Sequence, residues 1–227
     1  MVDTVFFDLD GTLLDTTYLH TLAWWRALND AGERQPMAAI HRLIGMGSSE
    51  LLTTLLNHDD EEISQAQGKY FADLHPLIRP LPDAAKVVRR VVSDGGKVVV
   101  VTSAKERDLP ALLGPLGCDD VIDEVVHGEE AERAKPAPDL FCLALERVGV
   151  EPQHVLALGD AVWDVKAAAK AGIACVAVET GGIERRLLEE AGALAVFATC
   201  TQLLEGWDAL SRLVAAAEGI ETTGGIR

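Results

Sequence analysis

VFFDLDGTLLD, residues 5–15, carries three apolar residues straight into two aspartates one residue apart, Asp8 and Asp10. A carboxylate without a partner is costly at the mouth of a buried strand, so the pair calls for a cation or a reaction. Strand alternation puts Asp8 and Asp10 on one side and Leu9 on the other. Gly11 permits a tight exit of the chain and lets backbone amides come near a ligand.

Outward from this stretch, strand-like and helix-like runs alternate. Residues 97–102 (KVVVVT), 154–160 (HVLALGD) and 174–179 (ACVAVE) read as buried strands, with DDVIDEVVHG and ALAVFA as weaker ones. Helical patterns over 83–94, 138–148 and 164–171 fit between them, opened by prolines or an aspartate and closed by glycines. Repeated βα units predict a doubly wound, parallel α/β sheet. Residues 16–81 break the alternation with helical signals alone. In them Leu19, Leu22 and Ala23 form one stripe, and Asp59 with Glu62 resembles a capping box. The expected organisation is an α/β core of residues 1–15 and 82–227, with a small helical cap, residues 16–81, inserted after the first strand. Such an insert falls at the sheet edge where ligands bind in these folds.

The chain has 227 residues, 48% hydrophobic and 25% charged, enough for one large domain or a core with an insert. Its net charge of -16 argues against nucleic acid and anionic membrane as partners. No run of eighteen apolar residues and no signal-peptide pattern occurs. The four cysteines, Cys118, Cys142, Cys175 and Cys200, are dispersed without metal-binding spacing. These features predict reduced thiols in a cytoplasmic protein, a monomer or homodimer. The closing EGIETTGGIR carries no evident chemistry.

Further polar residues stand at or beyond strand ends. Thr102 closes the VVVV run, Lys135 sits in the proline-stiffened RAKPAPDLF, and Asp160 and Asp164 occur in LGDAVWDV. Asp164 also stands where a carboxylate can simply cap a helix. Brought to one sheet edge, Asp8, Asp160 and Asp164 need a cation, and an oxygen-only set suits Mg²⁺. Lys135 adds a fixed positive charge. Such a site holds a dianion against a carboxylate, as phosphoryl transfer requires.

DLDGTLLD, Thr102, KPAPD and GDAVWD, in this order, resemble the four motifs of the haloacid dehalogenase superfamily, with the insert where that family carries a C1-type cap. The resemblance implies Asp8 as nucleophile, forming an aspartyl-phosphate, and Asp10 as acid and base. It implies that Asp8, the Asp10 carbonyl, Asp160 and Asp164 hold Mg²⁺. Thr102, Ser103, Lys135 and the amides of Gly11 and Thr12 would hold the phosphoryl group of a small phosphorylated metabolite. Asp10 favours phosphate esters over halides, since dehalogenases lack the second acid. His20 is shared by β-phosphoglucomutases and sugar-phosphate phosphatases. Serines, Ser48 or Ser49, stand where the mutase carries an arginine, so hydrolysis of a phosphomonoester, as in phosphoglycolate phosphatases, is favoured over the mutase alternative. Candidate substrate contacts in the insert are His20, Gly45, Gly47 and Ser48, with Arg42 or Arg79. Trp24 and Trp25 are expected to pack in the insert.

Overall fold

A computed structural model of the protein describes residues 3–221, with side chains through Val214. The run at the N-terminus forms β1 (Thr4–Phe7), buried throughout. Four helices of the insert follow: α1 (Thr17–Asp30), α2 (Met37–His41), α3 (Ser48–Leu56) and α4 (Glu61–Leu74). The chain then alternates through α5 (Ala84–Ser93), β2 (Lys97–Val101), α6 (Leu109–Leu116), β3 (Glu124–Val126) and α7 (Asp139–Val148). It continues through β4 (Val155–Gly159), α8 (Val162–Lys170), β5 (Ala174–Val178), α9 (Arg185–Glu190), β6 (Ala195–Phe197) and α10 (Cys200–Glu221).

The six strands are parallel, in the order β3-β2-β1-β4-β5-β6. A parallel sheet must bury both faces, and strand alternation supplies apolar residues to each. Val5, Phe7, Val98, Val100 and Leu158 meet Val88 and Val91 of α5 and Trp207 of α10. Phe6, Val99, Val101 and Ala157 meet Phe141 of α7 and Val165 of α8 on the other side. The order of strands reverses between β1 and β4, where Phe7 pairs with Leu158. A crevice therefore opens at the C-terminal ends of these two strands, and Asp8 and Asp160 emerge side by side there.

The helical insert lies over that crevice. Its two connections are tied together, with the Asp15 amide donating to the Arg79 carbonyl and the Leu81 amide to the Leu13 carbonyl, both at 2.9 Å. The insert has its own apolar cluster, centred on Trp24, Leu28, Ile40, Leu52 and Ile63. Trp163 of α8 packs against that cluster and so joins insert to core. Trp24 is buried as expected, whereas Trp25 is exposed.

Local details differ from the sequence reading. The buried stripe of α1 is Thr17, Thr21, Ala23, Trp24, Ala27 and Leu28, because α1 turns this face to α4. Leu19 and Leu22 are only half-buried. Asp60, not Asp59, caps α4, accepting from the amides of Glu62 (3.0 Å) and Ile63 (3.1 Å). The helix expected over 164–171 begins at Val162, which places Asp164 in its first turn. Cys118, Cys175 and Cys200 are buried free thiols, and Cys142 is exposed. No helix among the described residues is long and apolar enough to cross a membrane. Residues 222–227 of the closing stretch lie outside the described residues.

Candidate active site

Asp8 leaves β1 with its amide bonded to the Leu158 carbonyl at 2.9 Å, which fixes its position between the central strands. Its Oδ1 accepts from Lys135 Nζ at 2.8 Å. Lys135, from the loop before α7, is fully buried. Its ammonium also meets Asp164 Oδ1 at 2.8 Å and donates to the Val101 carbonyl at 2.9 Å. Thr12 donates to Asp160 at 2.9 Å and approaches Asp8 Oδ2 at 3.4 Å. Oxygens of Asp8, Asp160 and Asp164 lie within 4.8 Å of one another, all three residues buried.

Glycines make room for these acids. Gly11 has a φ of +79°, and a Cβ there would lie 2.4 Å from Asp160 Oδ2. A Cβ on Gly181 would lie 1.6 Å from the same oxygen. Both positions are therefore closed to a side chain while Asp160 stays in place.

Three carboxylates and one ammonium leave an excess of negative charge away from water. Burial pushes the Asp8 carboxyl up to about 7, with Asp164 and Asp10 adding and Lys135 opposing. Asp160 is raised for the same reasons, burial first and then Asp164 and Asp8. Burial works against the charge on Lys135, yet Asp164 and Asp8 outweigh it and hold the ammonium protonated. A compact set of carboxylate oxygens short of positive charge fits a hard divalent cation such as Mg²⁺.

Asp10 belongs to a different neighbourhood. Its side chain turns from the acid cluster to accept from Thr16 at 2.6 Å and to face His20 Nε2 at 3.1 Å. Burial would raise its pKa, but His20 and Thr16 prevail and hold it below the ordinary carboxylate range. His20 is stacked on Phe71 of α4, ring centres 3.8 Å apart, with Gln67 Nε2 at 3.4 Å from its Nδ1.

Above the acids is a cavity of about 70 Å³. Asp8, Asp10, His20, Gly45, Ser48 and Ser103 of the sequence candidates line it. Ser103 also ties core to insert by donating to the Gly45 carbonyl at 3.1 Å. Thr102 and Lys135 lie fully buried beneath it. The Thr102 hydroxyl accepts from the Ala104 amide at 3.0 Å, leaving its own proton available to donate.

Several candidates hold other positions. Thr12 is buried with its hydroxyl committed to Asp160, so it organises the acids. The amides of Gly11 and Thr12, expected on the phosphoryl group, instead donate to the Leu14 and Leu9 carbonyls at 2.8 and 3.2 Å and close the turn. Gly47 is not among the lining residues. A Cβ there would sit 2.2 Å from Ala134 Cβ, so it lets the insert close onto the loop that carries Lys135. Arg42 is exposed away from the cavity, and Arg79 donates to the carbonyls of Pro76 and Ile78. Neither arginine is a substrate contact here. Met46, Gln67, Phe71, Lys105 and Asp108 also line the cavity. No motif marks them in the sequence, because each is an ordinary residue for a helix or a loop.

Comparison with known proteins agrees with this geometry. The family description "haloacid dehalogenase-like hydrolase" matches residues 2–172. A phosphoglycolate phosphatase of Pseudomonas aeruginosa is 30% identical over 206 residues, covering 85% of this chain and 75% of its own. A fructose-1-phosphate phosphatase of Escherichia coli is 31% identical, covering 76% of this chain and 94% of its own. The crystal structure of a hydrolase from Pseudomonas syringae superposes with a TM-score of 0.86 at 31% identity, covering 91% of this chain and 98% of its own. The chain belongs to the haloacid dehalogenase-like hydrolase family. Within that family it is a phosphatase that acts on phosphorylated small molecules.

Proposed function

We propose that the protein hydrolyses a small phosphomonoester in two steps, with Mg²⁺ as cofactor and an aspartyl-phosphate on Asp8 between them. The observation that carries this reading is the Asp8 carboxylate. Lys135 pins one oxygen at 2.8 Å, and the residue lines the cavity beside Asp10. Of the three clustered acids, Asp8 is the one that lines the cavity, which is the position a nucleophile needs.

Asp8, Asp160 and Asp164, with the Asp10 main-chain carbonyl, would hold Mg²⁺. When bound, the ion neutralises charge on the acids and on the phosphate dianion. Asp8 attacks phosphorus, the bond from phosphorus to the ester oxygen breaks, and the departing alkoxide takes a proton from Asp10. In the second step Asp10 accepts a proton from water, the hydroxide attacks phosphorus, and the bond to Asp8 breaks to give inorganic phosphate. Lys135 and Thr102 stabilise the transferred group from below, and Ser103 from the side.

His20 and Thr16 hold Asp10 as a carboxylate, the form the second step needs. An incoming dianion raises the pKa of a nearby carboxyl, and so supplies the protonated form for the first. The helical segment 16–81 serves as the cap, and its residues over the cavity screen the acyl phosphate from bulk water. The protein acts in the cytoplasm.

Asp8→Asn removes the nucleophile while keeping its shape. Its turnover of an aryl phosphate should fall by about 10³-fold or more with the fold intact, and EDTA should silence the wild type. Turnover by Asp8→Asn close to wild type would overturn the assignment.

A further inference from the structure

Asp108 is the acid in the cavity wall that the reaction does not use. It stands before the apolar run that becomes α6, where an aspartate normally caps the helix. Its side chain makes no cap hydrogen bond. Instead Asp108 Oδ1 faces His75 Nε2, across the junction of core and insert, at 3.3 Å. Oδ2 has only Arg107 Nε at 3.8 Å, too far for a hydrogen bond. Yet the residue is 7% exposed and lines the cavity. With Oδ2 unpaired at the cavity surface, this carboxylate is an acceptor open to a donor.

The neighbours of Asp108 hold it there. His75 packs edge-on against Phe71, ring centres 5.0 Å apart, and Phe71 stacks on His20 beside Asp10. From Asp10 to Asp108 the wall is thus continuous, and Gln67 adds a neutral amide to it. Among the described residues lining the cavity, Lys105 is the one lysine or arginine, against Asp8, Asp10 and Asp108, and His20 is taken up by Asp10. No arginine is present to receive a second anion. At about 70 Å³ the space is also far below that of a drug-sized pocket, about 300 Å³ or more.

We propose that Asp108 makes the far wall of this cavity a reader of hydroxyls, so that the enzyme takes small polyol or sugar monophosphates and rejects esters whose leaving group carries a carboxylate. A substrate hydroxyl donates to Asp108, whereas a carboxylate meets a like charge there. The repulsive element sets the preference as much as the attractive one. This inference rests on the phosphomonoester hydrolase reading.

The test is the ratio of kcat/KM for glycerol phosphate to that for phosphoglycolate, two esters of similar size. The wild type should favour glycerol phosphate by about tenfold or more. Asp108→Asn keeps the shape and removes the charge, and should shrink that ratio by about fivefold or more. General damage to the fold or to cap closure lowers both values and cancels in the ratio, so an unchanged ratio would overturn the proposal. If Asp108→Asn does not fold, Asp108→Ser makes the same comparison. Turnover of an aryl phosphate by the wild type together with preferred turnover of phosphoglycolate would sink this inference alone. Turnover of neither ester nor the aryl phosphate would sink the hydrolase reading with it.

Discussion

Replacing Lys135 by methionine keeps most of the side-chain volume and removes the one charge that holds the acid cluster together. The ammonium is fully buried and meets Asp8 at 2.8 Å, Asp164 at 2.8 Å and the Val101 carbonyl at 2.9 Å. Breaking a buried ion pair by deleting one partner costs about 3–5 kcal/mol. For a chain of this size each kcal/mol moves Tm by about 2–4 °C, so the expected drop at pH 8 is about 6–20 °C.

The pH dependence follows from Asp8, whose folded pKa is near 7 against an unfolded value of about 3.9. Between those values the folded state binds more protons, so its stability falls as pH rises through this window. Without Lys135 the opposing charge is gone and the fall steepens. The cost of Lys135→Met is therefore larger at pH 8 than at pH 5, where Asp8 takes up its proton. Thermal and urea unfolding of both proteins in EDTA, at the two pH values, measure this directly. A Tm drop under about 2 °C at pH 8, or a larger cost at pH 5 than at pH 8, would refute the electrostatic account of the cluster.

Removal of the His20 ring takes away a partner that holds Asp10 low against the push of burial. In His20→Ala the acidic limb of the rate of aspartyl-phosphate hydrolysis, the step that needs Asp10 as a carboxylate, should move up by roughly one pH unit, and a limb that stays in place would show that His20 does not tune Asp10. Gly181→Ala places a methyl 1.6 Å from Asp160 Oδ2, and the carboxylate must swing away. The Mg²⁺ concentration for half-maximal activity should rise about tenfold or more; a titration indistinguishable from wild type would separate Asp160 from metal binding.

The residues of the acid cluster were legible because strands of a parallel sheet deliver their C-terminal residues to one edge. Asp8, Thr102 and Asp160 each follow an apolar run, and the order of strands then leaves no other place for them. Lys135 was legible from its proline-bounded loop. Boundaries were less so: Asp164 falls in the first turn of α8, and Asp60 takes the capping role expected of Asp59. A cap depends on the φ and ψ of a single residue, which neighbouring acids do not distinguish.

What the sequence by itself determined is the class of enzyme and the residues of the acid cluster: an α/β sheet, aspartates at the strand ends and a buried lysine, all set by local pattern and strand order. Only the tertiary structure decided what stands over them. Gln67, Phe71 and His75 read as plain positions of a helix and its end, and Asp108 reads as a helix cap. Gln67, Phe71 and Asp108 become a cavity wall, with His75 behind it, because the insert folds back across the junction and brings His75 to Asp108. That meeting joins residues distant in the chain, through contacts whose geometry no local periodicity encodes. The acid cluster is written along the strands, and the wall that covers it in the packing of the insert against them.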